Sequence, residues 1–255
     1  FLFFGFLDIL GHDCVLKSRV NEYTIQLRTM LHLDITGTLA KILSPSVGIP
    51  DAEITAQKTS VRRMVNDIAR ERKEGKHEWM NDPTREEAIR AVMAVAEQLK
   101  KDKVQTVIWI GIGGSGLGPK VLQEVFETPD TIEFILVDTI DPSLLELYRT
   151  MVDWKHAAVV VVSKSGETLE SMSAFFFYYE ELKNALGKKA AQRVIAITDP
   201  ESGSLRKMAT KEGFLTLPIP PNVGGRYCIF SPVGLLPLAL FGSDVRKFVQ
   251  GAIDM

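Results

Sequence analysis

Five short apolar runs set the pattern of the second half of the chain: Val104–Ile110, Ile132–Val137, Ala157–Val162, Val194–Ile197 and Phe214–Leu217. They are rich in β-branched residues and do not alternate with polar positions, the pattern of strands buried on both faces of a parallel sheet. Between them lie stretches of helical period, such as Leu169, Met172, Phe176, Tyr179, Leu182 and Leu186. Strand–helix alternation of this kind predicts right-handed βαβ units, a five-stranded mostly parallel sheet and a three-layer αβα sandwich over residues 103–255. The first 102 residues read as a helical region, with 1–50 carrying no clear pattern. Within it Thr84-Arg-Glu-Glu87 has the form of a capping box, and Ile89, Val92, Met93, Ala96 and Leu99 follow on one helical face.

Ligands of such sheets bind beyond the carboxyl ends of the strands, so the loops after the apolar runs are where chemistry is expected. The first run is followed by Gly111-Ile-Gly-Gly-Ser-Gly-Leu-Gly-Pro-Lys120. Glycines let the backbone turn tightly and approach a guest, and the helix that follows, with Pro119 expected in its first turn, offers free N–H groups to an anion. A plain strand-to-helix turn needs one or two glycines, and this loop has five in eight positions. The same loop satisfies the dinucleotide fingerprint at Gly111, Gly113 and Gly116, with Asp138 ending the next strand as a ribose-binding acid would. It fails the Walker A pattern, because Pro119 separates Gly118 from Lys120.

The third run ends in Ser163-Lys-Ser-Gly-Glu-Thr168. One hydroxyl would suffice to cap a helix; three predict donors to phosphate oxygens. Two such loops on neighbouring strand ends suit a compact phosphomonoester better than a dinucleotide. Lys164 reads as a solvated charge near the rim. After the fifth run, Asn222-Val-Gly-Gly-Arg-Tyr-Cys-Ile-Phe-Ser-Pro-Val-Gly234 places Arg226 on a glycine turn, where a permanent cation could stabilise a developing oxyanion. Tyr227 and Phe230 are expected in the core.

Composition narrows the partners. Thirty basic against thirty-two acidic residues give a net charge of -2, which offers nucleic acid no electrostatic footing. Cys14 and Cys228 form no metal-ligand spacing or disulfide framework, so a reducing, cytoplasmic setting is expected. The apolar start Phe1–Leu10 is too short to span a bilayer, and it lacks the basic segment of a signal peptide and an initiator Met. No membrane association is expected. The chain reads as a fragment, its start incomplete or misassigned and Gly251–Met255 without a terminating signal.

The three loops together, as Ile110–Pro119, Val162–Thr168 and Gly224-Gly-Arg-Tyr227 with Ser231-Pro-Val-Gly-Leu-Leu-Pro237, resemble the glucose-6-phosphate isomerase family, built from two sugar isomerase (SIS) domains. The first two loops indicate an SIS domain; the third resembles a signature of the family itself. The resemblance runs from about residue 55 to the end. It implies interconversion of glucose 6-phosphate and fructose 6-phosphate through a cis-enediol(ate), with no metal, no cofactor, and a homodimer when full length. By that resemblance Gly114, Ser115, Ser163, Lys164 (through its backbone), Ser165 and Thr168 hold the phosphate. Arg226 is the catalytic cation, with Gly113 and Gly225 in the loops near the substrate. Cys228 departs from the usual Ser or Thr. By the same resemblance the family's glutamate base, ring-opening histidine and late lysine belong to the second SIS domain and carboxyl-terminal region, expected to be absent here, and none of His12, His32, His77, His156 or Glu167 replaces them. The alternatives are a non-catalytic SIS sugar-phosphate sensor and a nicotinamide-dependent oxidoreductase domain.

Overall fold

The computed structural model describes residues 24–26 and 32–254; His12, Cys14 and the apolar start lie outside them. Two compact units divide the chain near His77. The first contains the antiparallel pair β1 (Thr24–Gln26) and β2 (His32–Asp34) and the helix α1 (Asp51–Lys73). The second, Glu78–Ile253, carries the candidate site.

In the second unit the elements run α2 (Glu86–Lys101), β3 (Thr106–Ile110), α3 (Gly114–Phe126), β4 (Glu133–Val137), α4 (Pro142–Met151) and β5 (Ala157–Val162). Next come α5 (Leu169–Leu186), β6 (Val194–Thr198), α6 (Ser204–Glu212), β7 (Leu215–Pro218), α7 (Pro232–Leu240) and α8 (Val245–Ile253). The expected boundary at 102/103 falls between α2 and β3, inside this unit. The sheet has the order β4-β3-β5-β6-β7, and every neighbouring pair is parallel. The absence of alternation has its expected cause: each face of the sheet is covered. Val107, Trp109, Val160 and Ile195 pack toward α2, α3, α7 and α8, while Ile108, Ile110, Val159 and Val161 pack toward α5 and α6. Full burial of such side chains contributes roughly 1.5–3 kcal/mol each, so alternate positions on both faces must be apolar.

Several local expectations change. The Thr84–Glu87 capping box does not form: Thr84 ends a 3-10 turn at Asp82–Thr84, its hydroxyl donates to the Asn81 carbonyl at 2.7 Å, and α2 begins at Glu86 with no side-chain cap. Met93 is exposed rather than on the inner face. On α5, Leu169 and Phe176 are also exposed, and Ala174, Phe175, Tyr178 and Leu182 face the sheet. Pro119 lies in the second turn of α3, not the first. The carbonyl its missing N–H would have bonded, that of Ser115, accepts instead from the Trp109 indole at 2.9 Å.

From β3 the chain leaves outward through α3 to β4, then returns through α4 to β5 on the other side of β3. The loops after β3 and β5 therefore diverge at the reversal of strand order, where open α/β sheets form their ligand crevice.

Candidate functional site

At that crevice the structure brings Ser115, Ser163, Lys164, Ser165 and Thr168 into the wall of one cavity of about 410 Å³, together with Ile112, Ser171, Asp199 and Ser202. Gly113, Gly114, Gly225 and Arg226 are not in that wall. Gly114, Gly225 and the Arg226 backbone form the contact between the first and third loops, and Gly113 immediately precedes it. Gly113 sits at φ +61°, a conformation that costs glycine little, and turns the chain into α3. A β-carbon on Gly114 would come within 2.1 Å of the Gly225 carbonyl oxygen, so only glycine allows the two backbones to meet.

The hydroxyl loop is knitted to itself. Ser163 Oγ donates to Thr168 Oγ1 at 3.2 Å and accepts from Gly166 N at 3.1 Å, while Ser165 Oγ accepts from Glu167 N at 3.2 Å. Thr168 stands at the N-cap of α5, yet its side chain makes no capping bond. The first-turn N–H groups of an 18-residue helix are therefore left without a side-chain cap beside the cavity. Ser163 is buried, and its carbonyl accepts from Thr198 Oγ1 at 2.7 Å, which ties the loop to the end of β6.

Lys164 is not a solvated rim charge. Its ammonium donates to the carbonyls of Pro221 and of Val223 (3.1 Å for the latter), spanning from the second loop to the chain just before Gly224. Asp199, also in the cavity wall, accepts from Glu201 N at 2.9 Å and Ser202 N at 2.8 Å. These two bonds, with a smaller contribution from the Lys164 charge, hold its carboxyl below the usual carboxylate range. Its negative charge is thus turned toward the 199–202 backbone and balanced by a lysine at the same site.

The third loop forms a 3-10 turn over Gly225–Phe230. Arg226 is exposed, and its guanidinium makes no ion pair or hydrogen bond among the described residues. Cys228 lies beneath it, buried. Its thiol donates to the Gly225 carbonyl at 2.9 Å and lies 3.6 Å from that of Gly114, and burial pushes it up to about 11. Tyr227 is not a core residue: it is 53% exposed and stacks on Trp79 with ring centroids 5.1 Å apart. Phe230 is half-buried against Phe248. Asp82 is fully buried; one oxygen accepts from Arg85 Nε at 2.8 Å and the other has no partner among the described residues. Burial raises its carboxyl to about 6 against the opposing pull of Arg85.

Among the described residues no group of three or more His, Cys, Asp or Glu is placed to hold a metal ion. His77 pairs with Glu71 and His156 with Asp153, each at 2.8 Å. Asp199 and Ser202 follow β6 directly, so the strand-end rule applied to the fourth run would have found them. Ser171 had only its place one turn beyond Thr168 to signal it.

The sequence matches the family described as "PGI: Phosphoglucose isomerase" over residues 82–255. The glucose-6-phosphate isomerase of Rubrobacter xylanophilus is 33% identical over 230 residues, spanning 86% of this chain and 52% of the relative. A glucose-6-phosphate isomerase of Thermus thermophilus is 39% identical over 175 residues, spanning 68% and 41% respectively. The chain thus spans about half the length of the curated relatives it matches. Among solved structures, a hypothetical protein from Thermus thermophilus superposes with a TM-score of 0.74 at 32% identity, over 78% of this chain and 48% of that one. A glucose-6-phosphate isomerase from Chlamydia trachomatis gives 0.55 at 30% identity, over 65% and 33%. All three loops lie inside the matched span, and on that match the chain belongs to the phosphoglucose isomerase family.

Proposed function

We propose that this chain carries the phosphate grip and one catalytic cation of a glucose-6-phosphate isomerase, which interconverts glucose 6-phosphate and fructose 6-phosphate. The observation that carries this reading is the convergence of Ser115, Ser163, Ser165 and Thr168 with the uncapped N-terminus of α5 on one cavity. Hydroxyl and backbone donors around a positive helix end suit a phosphate dianion. Gly114 admits the third loop against the first, and in this reading Arg226 serves the sugar's other end.

In the reaction a carboxylate base moves a proton between C2 and C1, and negative charge builds on the enediolate oxygens between the two transfers. Arg226, cationic throughout and without a counter-ion among the described residues, is suited to stabilise that charge. The carboxylates of the cavity wall and of the 163–168 loop do not suit the base. Asp199 is engaged by two N–H groups and held ionised, while Glu167 is exposed and accepts from Ser204 Oγ at 3.3 Å. In this reading the base comes from the family's second SIS domain, within a cytoplasmic homodimer. No helix among the described residues is long and apolar enough to cross a membrane.

A calorimetric titration of the 255-residue chain with fructose 6-phosphate, fructose and NADH tests the reading. Saturable binding of the phosphate ester alone is the expected result. Binding of NADH in preference, or of neither, contradicts it. Turnover of the ester by this chain should be lower by the roughly 10²–10⁴-fold that a general base supplies.

A further inference from the structure

We propose that Ser171 is a further ligand of the phosphate, one that nothing in the loop motifs marks. This rests on the sugar-phosphate reading of the cavity and assigns it a donor. The hydroxyls of the 163–168 loop are partly committed: Ser163 to Thr168 and Gly166, Ser165 to Glu167. Ser171 is not. It is the third residue of α5, 1% exposed, its Oγ is buried, and that oxygen has no hydrogen-bond partner among the described residues. It nevertheless belongs to the cavity wall.

A serine inside a helix commonly satisfies its hydroxyl by bonding back to the preceding turn. Ser171 makes no such bond, so its hydroxyl carries a desolvation cost that no described residue offsets. In this conformation no water-sized sphere reaches the Oγ although Ser171 lines the cavity, so a turn about χ1 is what brings the hydroxyl to a group bound there. That group sits against the uncapped first turn of an 18-residue helix, where the N–H groups and the dipole favour an anion. A phosphate oxygen meets both conditions, accepting from the helix N–H groups and from Ser171 Oγ together. Glu170, the acidic residue in the same turn, is exposed and is not in the cavity wall.

The test is a titration of the wild-type chain, Ser171→Ala and Ser171→Cys with fructose 6-phosphate and with inorganic phosphate, alongside thermal unfolding without ligand. Loss of one charge-assisted hydrogen bond should raise the Kd of Ser171→Ala about tenfold for both compounds. The unliganded variant should keep or raise its Tm, since an unsatisfied buried hydroxyl is removed. Cysteine, a weak donor, should fall between, and it preserves the test should alanine disturb folding. A Kd within about twofold of wild type in both variants would overturn the inference. So would a lower Tm with unchanged affinity, which would show that the hydroxyl serves the protein alone. Failure of the wild-type chain to bind either phosphate compound would sink the underlying reading as well, and is thereby distinguished from failure of Ser171 alone.

Discussion

The loop at 163–168 and the turn at 224–230 lie next to each other and are held by different means. The first is closed by its own hydroxyls and anchored through Ser163 to Thr198, in a segment where Ser163 and Gly166 are buried. The second is exposed at Gly224, Gly225, Arg226 and Tyr227, and is fixed from outside. Gly114 presses on Gly225, Lys164 reaches the carbonyls of Pro221 and Val223, Cys228 bonds the Gly225 carbonyl, and Trp79 stacks on Tyr227. The difference suits the two tasks proposed for these loops. A phosphate needs many fixed donors, and the order is built in before it arrives. A cation meant for a transient oxyanion must remain unpaired in the free protein, so it is placed by its backbone alone.

If that contrast is right, the contact between the first and third loops is its weakest point. Gly114→Ala puts a β-carbon 2.1 Å from the Gly225 oxygen, between two backbones with no flexible side chain to yield. We expect a loss of stability of about 1–3 kcal/mol, the usual cost of overpacking, measured by denaturant unfolding. The Arg226 turn should be displaced at the same time. An unchanged midpoint and slope would show that the loops separate without cost and that the close approach is incidental.

A smaller and more selective effect is expected of Lys164→Met, which keeps the stem and removes the ammonium. Hydrogen exchange of amides at 222–228 should quicken, while those of the 163–168 loop, secured by Ser163 and Thr198, change little. Equal acceleration in both would mean that the two regions are one unit and would erase the distinction drawn here.

The smallest effect concerns the floor beneath the turn. Asp82 is raised from 3.8 to about 6 by burial. The folded protein therefore binds more protons than the unfolded chain between these values, and stability from this group falls as pH rises through that window. Asp82→Asn keeps an acceptor for Arg85 and should flatten the difference in unfolding free energy between about pH 4 and 6. Parallel pH curves for the two proteins would show that Asp82 is not held protonated there.

Much of this was readable in the chain because sheet strands buried on both faces and glycine loops at their ends leave strong local signals. Each expected run overlaps one strand, within two residues at either end. What the pattern could not supply was phase. In α5 the run Phe175-Phe-Phe-Tyr-Tyr179 is apolar in every direction, so periodicity alone could not choose the buried face; packing on the sheet selects Phe175 and Tyr178 and leaves Phe176 outside. At Thr84 a proline-containing 3-10 turn displaces the helix start, which removes the capping geometry the residues spell out. Lys164 looked like a surface charge because its partners are backbone carbonyls more than fifty residues away, which no local pattern encodes. Ser171 was silent for a related reason: a hydroxyl gains meaning from being unpartnered, and that is visible only once every neighbour is placed.

The central claim, that the strand-end cavity grips a phosphate and leaves Arg226 for the sugar, is tested most directly by a crystal structure of this chain with fructose 6-phosphate. The account predicts the phosphate inside the cavity, within hydrogen-bond distance of Ser115, Thr168 and the first-turn N–H groups of α5, with the C1–C2 end of the sugar toward Arg226. A phosphate bound directly to Arg226, with the cavity left to solvent, would contradict it.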